Sequence, residues 1–126
     1  GEKDLIITSD TIVWSENKQL GKPKDAAEAK EMLQSLAGKQ HQVITAVTLF
    51  TVAKTKTFFE STNVFFKYLS EEEIDFYIQN YKPFDKAGSY GIQEWIGFAG
   101  IEKIEGDYFN VVGLPMHKLY LELNEF

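Results

Sequence analysis

Hydrophobic and polar positions switch between two periods along this chain, and the switch points mark its elements. LIITSDTIVW (5–14) is apolar and β-branched, which predicts a strand, yet Thr8, Ser9, Asp10 and Thr11 interrupt it. A strand with Ser-Asp at its middle needs a reason, because an ionised carboxylate must be paired or wet. SENKQ (15–19) reads as a polar turn. After GKPKD, the residues Ala26, Ala29, Met32, Leu33 and Leu36 recur at helical spacing, with Asp25 as N-cap and Gly38 as the stop.

HQVITAVTLFTVA (41–53) predicts a long strand, KTKT a turn, and TFFESTNVFFKYL (57–69) the antiparallel partner. Ser70 with Glu73 three residues on is a capping box, and Ile74, Phe76, Tyr77 and Ile78 continue a short helix. Residues 96–106 predict a short helical piece followed by a strand. GDYFNVVGLP (106–115) reads as a glycine-punctuated connection, and MHKLYLELNEF (116–126) as a C-terminal helix with Leu119, Leu121 and Leu123 on its apolar side. There is no internal repeat, low-complexity tract or linker. The pattern predicts one mixed α/β domain over Gly1 to Phe126.

Composition narrows the function classes. The chain has 126 residues, 44% hydrophobic and 25% charged, which describes an ordinary globular domain rather than a disordered one. No apolar run approaches the length of a bilayer span. Without cysteine there is no disulfide framework and no thiolate metal site, which fits a cytoplasmic setting. The net charge of −6 and the lack of a basic stripe argue against long nucleic acid as a partner. Two or three local lysines still suffice for a small phosphorylated ligand.

Four residues carry candidate chemistry. Asp10 is either a carboxylate that holds a divalent metal or orients water, or a hydrogen-bonding turn residue. Lys22, between Gly21 and Pro23, presents a point charge to phosphate or is a solvated loop lysine. Lys86 and Gln93 share DKAGSYGIQ (85–93), whose glycines let backbone N–H groups turn toward an anion. The carboxamide of Gln93 both donates and accepts, and so can read a base edge or a metal-bound water. The alternative is a plain glycine turn before a helix. His41 and His117 lack the spacing of a zinc pair and read as structural or surface residues. Phe58, Phe59, Phe65 and Phe66 read as strand core or interface. No nucleophile elbow and no Walker-type phosphate loop occurs.

Taken together, ITSDTIV (7–13), LGKPKD with AxxML behind it (20–33), G-x-x-H-x-V-x-T (38–45), STNVFFKYLSEEEI (61–74), DKAGSYGIQ (85–93) and IEGDYFNVVGLP (104–115) resemble the Maf family of nucleoside triphosphate pyrophosphatases, the septum-formation inhibitor proteins. The motifs keep the family's order over nearly the whole chain. The resemblance implies an elongated α/β fold related to the inosine triphosphatase-like proteins, with a mixed, curved sheet, flanking helices and a central cleft. It implies hydrolysis of a nucleoside triphosphate to the monophosphate and pyrophosphate with Mg or Mn. It implies Asp10 as metal ligand or water activator, Lys22 and Lys86 as phosphate contacts, Gln93 as a cleft residue near metal, water or base, and a homodimer.

The Tyr90-Gly91-Ile92-Gln93 form resembles the branch acting on dTTP and UTP. Glu94-Trp95 departs from that branch's Gln-Gly ending, and the expected consequence is a reshaped base pocket. The family normally opens with a strand and a Ser-x-Arg-Arg loop; this chain begins after that region. The expectation is a domain missing its N-terminal segment, with impaired activity and an exposed apolar face. The competing readings are an inactive nucleotide-binding or division-regulating protein and a pyrophosphatase for inosine- or guanosine-type triphosphates.

Overall fold

The structure, a computed structural model, describes residues 4–126; what residues 1–3 contribute in place of an arginine loop lies outside the described residues. Five strands form one sheet in the order β2-β1-β3-β4-β5, where β1 is Ile6–Ser15, β2 Lys18–Leu20, β3 Gln40–Phe50, β4 Thr55–Phe66 and β5 Ile101–Glu105. Every pairing among the described residues is antiparallel, so the parallel component of the implied mixed sheet is not among them. Three long strands carry the fold. Their register sets Val13 beside Val43 and Val43 beside Thr62. Side-chain alternation then gives one inner face with His41, Val43, Thr45, Val47 and Leu49 all buried. The outer face is left open among the described residues: Phe59 is 61% exposed and Ile6 52%.

The five α-helices among the described residues are short. α1 (Ala26–Leu36) starts where Asp25 accepts the Glu28 N–H at 2.8 Å. α2 (Glu71–Tyr81) has the full capping box of Ser70 and Glu73, and Lys67 pairs with the Glu73 carboxylate. The backbone hydrogen bond from Ser70 and the Lys67 ammonium together hold the Glu73 carboxyl below its ordinary range. Lys30 of α1 reaches Glu71 at 2.8 Å and Asp75 at 3.0 Å on α2. These exposed pairs orient the two helices more than they stabilise them. α3 (Trp95–Gly100), α4 (Tyr108–Val112) and α5 (Met116–Glu125) complete the chain. No helix among the described residues is long and apolar enough to cross a membrane.

Three features differ from the sequence reading. Residues 15–19 are not all turn: Glu16 and Asn17 turn at φ 50° and 62°, and Lys18–Leu20 returns as β2. Two successive positive-φ residues match the right-handed twist of a hairpin, which is why so short a strand pairs at all. Residues 106–115 are not only a connection, because Tyr108–Val112 forms α4 behind the N-cap Asp107. The turn between β3 and β4 also falls three residues earlier than KTKT, closing by Thr51 N–H to Lys54 C=O at 2.8 Å.

The hydrophobic interior is divided. The larger cluster joins Val13, Val43, Val64 and Phe66 of the sheet to Leu33 and Leu36 of α1 and Ile74 and Tyr77 of α2. A smaller one joins Val47, Leu49 and Phe58 to Leu119 of α5. Between them α4 lays Asn110, fully buried, on the sheet. Its side-chain amide nitrogen donates to Val43 C=O (3.1 Å), Glu60 C=O (3.2 Å) and Thr62 Oγ1 (2.9 Å), while its backbone carbonyl accepts from Thr45 Oγ1 (3.2 Å). Thr45 in turn meets Thr11 of β1 at 2.9 Å. A polar bridge thus replaces side-chain packing at the middle of the inner face, and it works only while every partner is present. We expect Asn110→Ala to cost about 1–3 kcal/mol of stability, read from the denaturant midpoint, because it strands buried polar partners.

Candidate functional site

A cleft of about 400 Å³ opens along β1, and all four candidate residues, Asp10, Lys22, Lys86 and Gln93, line it. Ser9, Thr11 and Val13 give one wall, residues 85–93 the other, and Val43 and Val111 the floor. Each lining group has a specific support.

Lys22 is exposed between two buried anchors, Leu20 and Pro23, which fix the backbone and leave the ammonium free. Gly88 N–H donates to Gly21 C=O at 3.0 Å, tying the Lys22 segment to the Lys86 segment. Gly88 must be glycine here: its φ is +73°, and a Cβ would stand 3.0 Å from the Val13 side chain.

The wall 85–93 is pinned at four successive residues to four different elements. Gly88 bonds to the Gly21 loop. Ser89 donates from Oγ to the Met32 sulfur of α1 at 3.0 Å. Tyr90 Oη meets His41 Nε2 of β3 at 2.5 Å. Gly91 N–H donates to Tyr77 Oη of α2 at 3.0 Å, and that hydroxyl donates on to Glu94 at 2.6 Å. Ser89 is held at φ 69°, a left-handed conformation that costs a non-glycine residue about 1 kcal/mol and persists because the surrounding bonds over-determine it. The stretch is therefore a turn and also a wall, and its shape is imposed from outside.

Burial sets the electrostatics beneath that wall. His41 lies under Tyr90, stacked on Phe66 at 5.4 Å, and burial lowers its pKa from 6.5 to about 4. Burial raises both Tyr90 and Tyr77 above the ordinary phenol range, with the Glu94 carboxylate adding to the effect on Tyr77. The rings under the cleft are thus neutral at physiological pH. At the surface, Lys86 Nζ sits 3.3 Å from Asp85. The Lys86 contact holds the Asp85 carboxyl below its usual range, and the positive charge of Lys22 contributes from further off.

Gly91 matters for a second reason. A Cβ there would lie 2.6 Å from Lys86 Cε and 2.9 Å from Glu94 Oε1, so the Lys86 stem crosses directly over this glycine. Asp10 stands on β1 in register with Ala46, on the outer row, whereas Thr11 faces the inner network. β1 pairs with β2 only through Val13, Trp14 and Ser15, so among the described residues Asp10 is on a free strand edge beside the cleft. It makes no ion pair or hydrogen bond among the described residues. No group of three or more His, Asp or Glu among them is gathered to hold a metal by protein ligands alone. One free carboxylate suits a hard cation that keeps its waters and arrives on a phosphate.

Glu94 and Trp95 do not line the cleft. Glu94 accepts from Tyr77, and Trp95 packs edge-on against Phe76 at 4.9 Å. Both side chains serve the seam between α2 and α3. Conversely, His41 and Tyr77 support the site without having been singled out for it. The only sequence signals were a histidine in an otherwise apolar strand and a tyrosine on the apolar side of α2.

The family model for Maf-like proteins matches residues 1–126. The chain belongs to the Maf family. It is 58% identical over 124 residues to a dTTP/UTP pyrophosphatase of Christiangramia forsetii, covering 98% of this chain and 63% of that protein. It is likewise 58% identical over 125 residues to a dTTP/UTP pyrophosphatase of Bacteroides fragilis, covering 99% and 65%. A Porphyromonas gingivalis protein of the same name is 50% identical over 125 residues. The chain therefore spans 63–65% of the length of these curated Maf relatives.

Two outcomes follow for this Maf cleft. Gly91→Ala displaces Lys86, so affinity for inorganic tripolyphosphate falls roughly ten- to hundredfold, the worth of a charge-assisted contact. Stability changes by no more than about 1 kcal/mol, since only side-chain ends must move. The second outcome concerns pH. His41 has a lower pKa folded than unfolded, so the unfolded chain binds the extra proton between pH 6.5 and about 4. Stability contributed by neutral His41 is full above that window and lost as pH falls through it. Melting temperatures of wild type and His41→Phe across the window check this; the variant has the flatter profile.

Proposed function

We propose that the protein is a nucleoside triphosphate pyrophosphatase that hydrolyses dTTP and UTP, or modified pyrimidine triphosphates, to the monophosphate and pyrophosphate. The observation that carries this reading is the Gly88–Gly21 bond, which brings two lysines from distant segments to one cleft beside a carboxylate that has no partner among the described residues. The names of the relatives support the substrate class.

The chemistry follows from the groups. Water attacks the α-phosphorus, the bond from that phosphorus to the α–β bridging oxygen breaks, and pyrophosphate leaves with the oxygen. Asp10 aligns the water and takes its proton. Lys22 and Lys86 stabilise the charge that grows on the non-bridging and leaving oxygens. Asp10 and Gln93 are the residues that would hold a divalent cation, Mg or Mn, which supplies Lewis-acid neutralisation of the phosphates when bound. The cytoplasmic nucleotide pool is the corresponding setting, and a homodimer the corresponding assembly.

The test is pyrophosphate release with Mg or Mn from dTTP, UTP, CTP, ITP and 7-methyl-GTP. Release from dTTP and UTP is expected, and Asp10→Asn lowers it roughly 10²–10⁴-fold with the melting profile unchanged, since charge goes and size stays. Preference for ITP or 7-methyl-GTP moves the substrate class. Tight binding without release from any of them makes the protein a nucleotide-binding regulator.

A further inference from the structure

A second hollow, of about 450 Å³, adjoins the cleft and shares Ile92 and Gln93 with it. Its other walls include Phe98 of α3, Glu102 and Ile104 of β5 and Tyr108 of α4. Phe98 is 80% exposed and has no aromatic partner among the described residues. An aromatic face this open in a lone position on a hollow's rim is a ready surface for another π-system.

The charges of the hollow say which part of a ligand it takes. Lys103, its one cation among the described residues, is occupied: its ammonium lies over the Phe65 ring at 5.3 Å and 3.1 Å from Glu105. Glu102 has no counter-ion among the described residues. An anion is therefore repelled here and welcomed in the first cleft by Lys22 and Lys86. A neutral planar group has the opposite preference. Gln93 stands on the shared wall, where its carboxamide can donate to and accept from a base edge. Volumes of this size are usual for small-ligand sites.

We propose that the nucleobase of the substrate lies in this second hollow, stacked on Phe98 and flanked by Tyr108, with Gln93 on the wall between base and phosphates. The assignment rests on the nucleotide reading above and extends it, naming Phe98 as the residue that gives the nucleotide its advantage over bare polyphosphate.

The experiment is equilibrium binding, with Mg present, of two probes to wild type, Phe98→Ala and Phe98→Tyr. One probe is the α,β-imido analogue of dTTP, and the other is inorganic tripolyphosphate, which has no base. Phe98→Ala is expected to weaken the analogue roughly tenfold, the scale of one base–aromatic stack, and to leave tripolyphosphate unchanged. Phe98→Tyr restores the analogue. Unchanged analogue binding in Phe98→Ala overturns the base site, and so does an equal loss for both probes. Pyrophosphate release by the same proteins separates the two ideas. A wild type that binds the analogue with the Phe98 dependence but releases nothing retains the base site and loses the pyrophosphatase reading. A wild type that turns over dTTP with the same KM as Phe98→Ala retains the activity and loses the base site.

Discussion

The arrangement depends on four hydrogen bonds made by consecutive residues, Gly88 to Gly91, to four separate parts of the fold. A loop held at one end sweeps a wide volume. A loop held at every residue of its middle presents its flanks in one geometry. Lys86 lies just before this pinned stretch and Gln93 just after it, so both inherit its position. Catalytic stabilisation of charge is strongest when donors and cations need no reorganisation. Here the reorganisation is removed by α1, α2, β3 and the Gly21 loop, not by the cleft residues themselves.

The same design explains where the protein accepts unfavourable local energy. Ser89 sits in the left-handed region, His41 is kept neutral with its Nδ1 lacking a hydrogen-bond partner among the described residues, and Asn110 bridges two hydrophobic clusters with polar contacts. Each is costly alone. They lie along the inner face of the sheet or under the pinned wall, where the larger cluster built from Leu33, Leu36, Val64 and Ile74 offsets them. Net charge works the same way locally. The chain is acidic at −6, yet the cleft has two lysines, so its local positive charge is a property of placement and not of composition.

The parts of the structure legible in the sequence are those whose causes are local. Asp25, Ser70 and Glu73 act within a turn of their helices, and the strands of β3 and β4 announce themselves through β-branched residues in register. β2 was hidden because three residues carry no period and its Glu16-Asn17 turn lacks the usual glycine. α4 was hidden because five residues, YFNVV, are too few to show a helical period, and the one polar residue among them, Asn110, faces the sheet. Asp10, Lys22, Lys86 and Gln93 were each ambiguous alone; only their combined order, as a family resemblance, brought them together, and the cleft contains all four. His41, Tyr77 and Met32 act on partners 14 to 57 residues away, and no local pattern encodes such a contact.

The division of contacts by distance along the chain also orders events in time. The β3–β4 hairpin closes across a turn at Thr51–Lys54 and costs little entropy to start. The cleft instead joins β1, the Gly21 loop and residues 85–93, which must wait until most of the chain is in place. Contacts absent from the folding transition state change the unfolding rate and barely touch the folding rate. The bonds from Gly88 to Gly91 reach back 67, 57, 49 and 14 residues, so by sequence separation most of them belong with the contacts that close late.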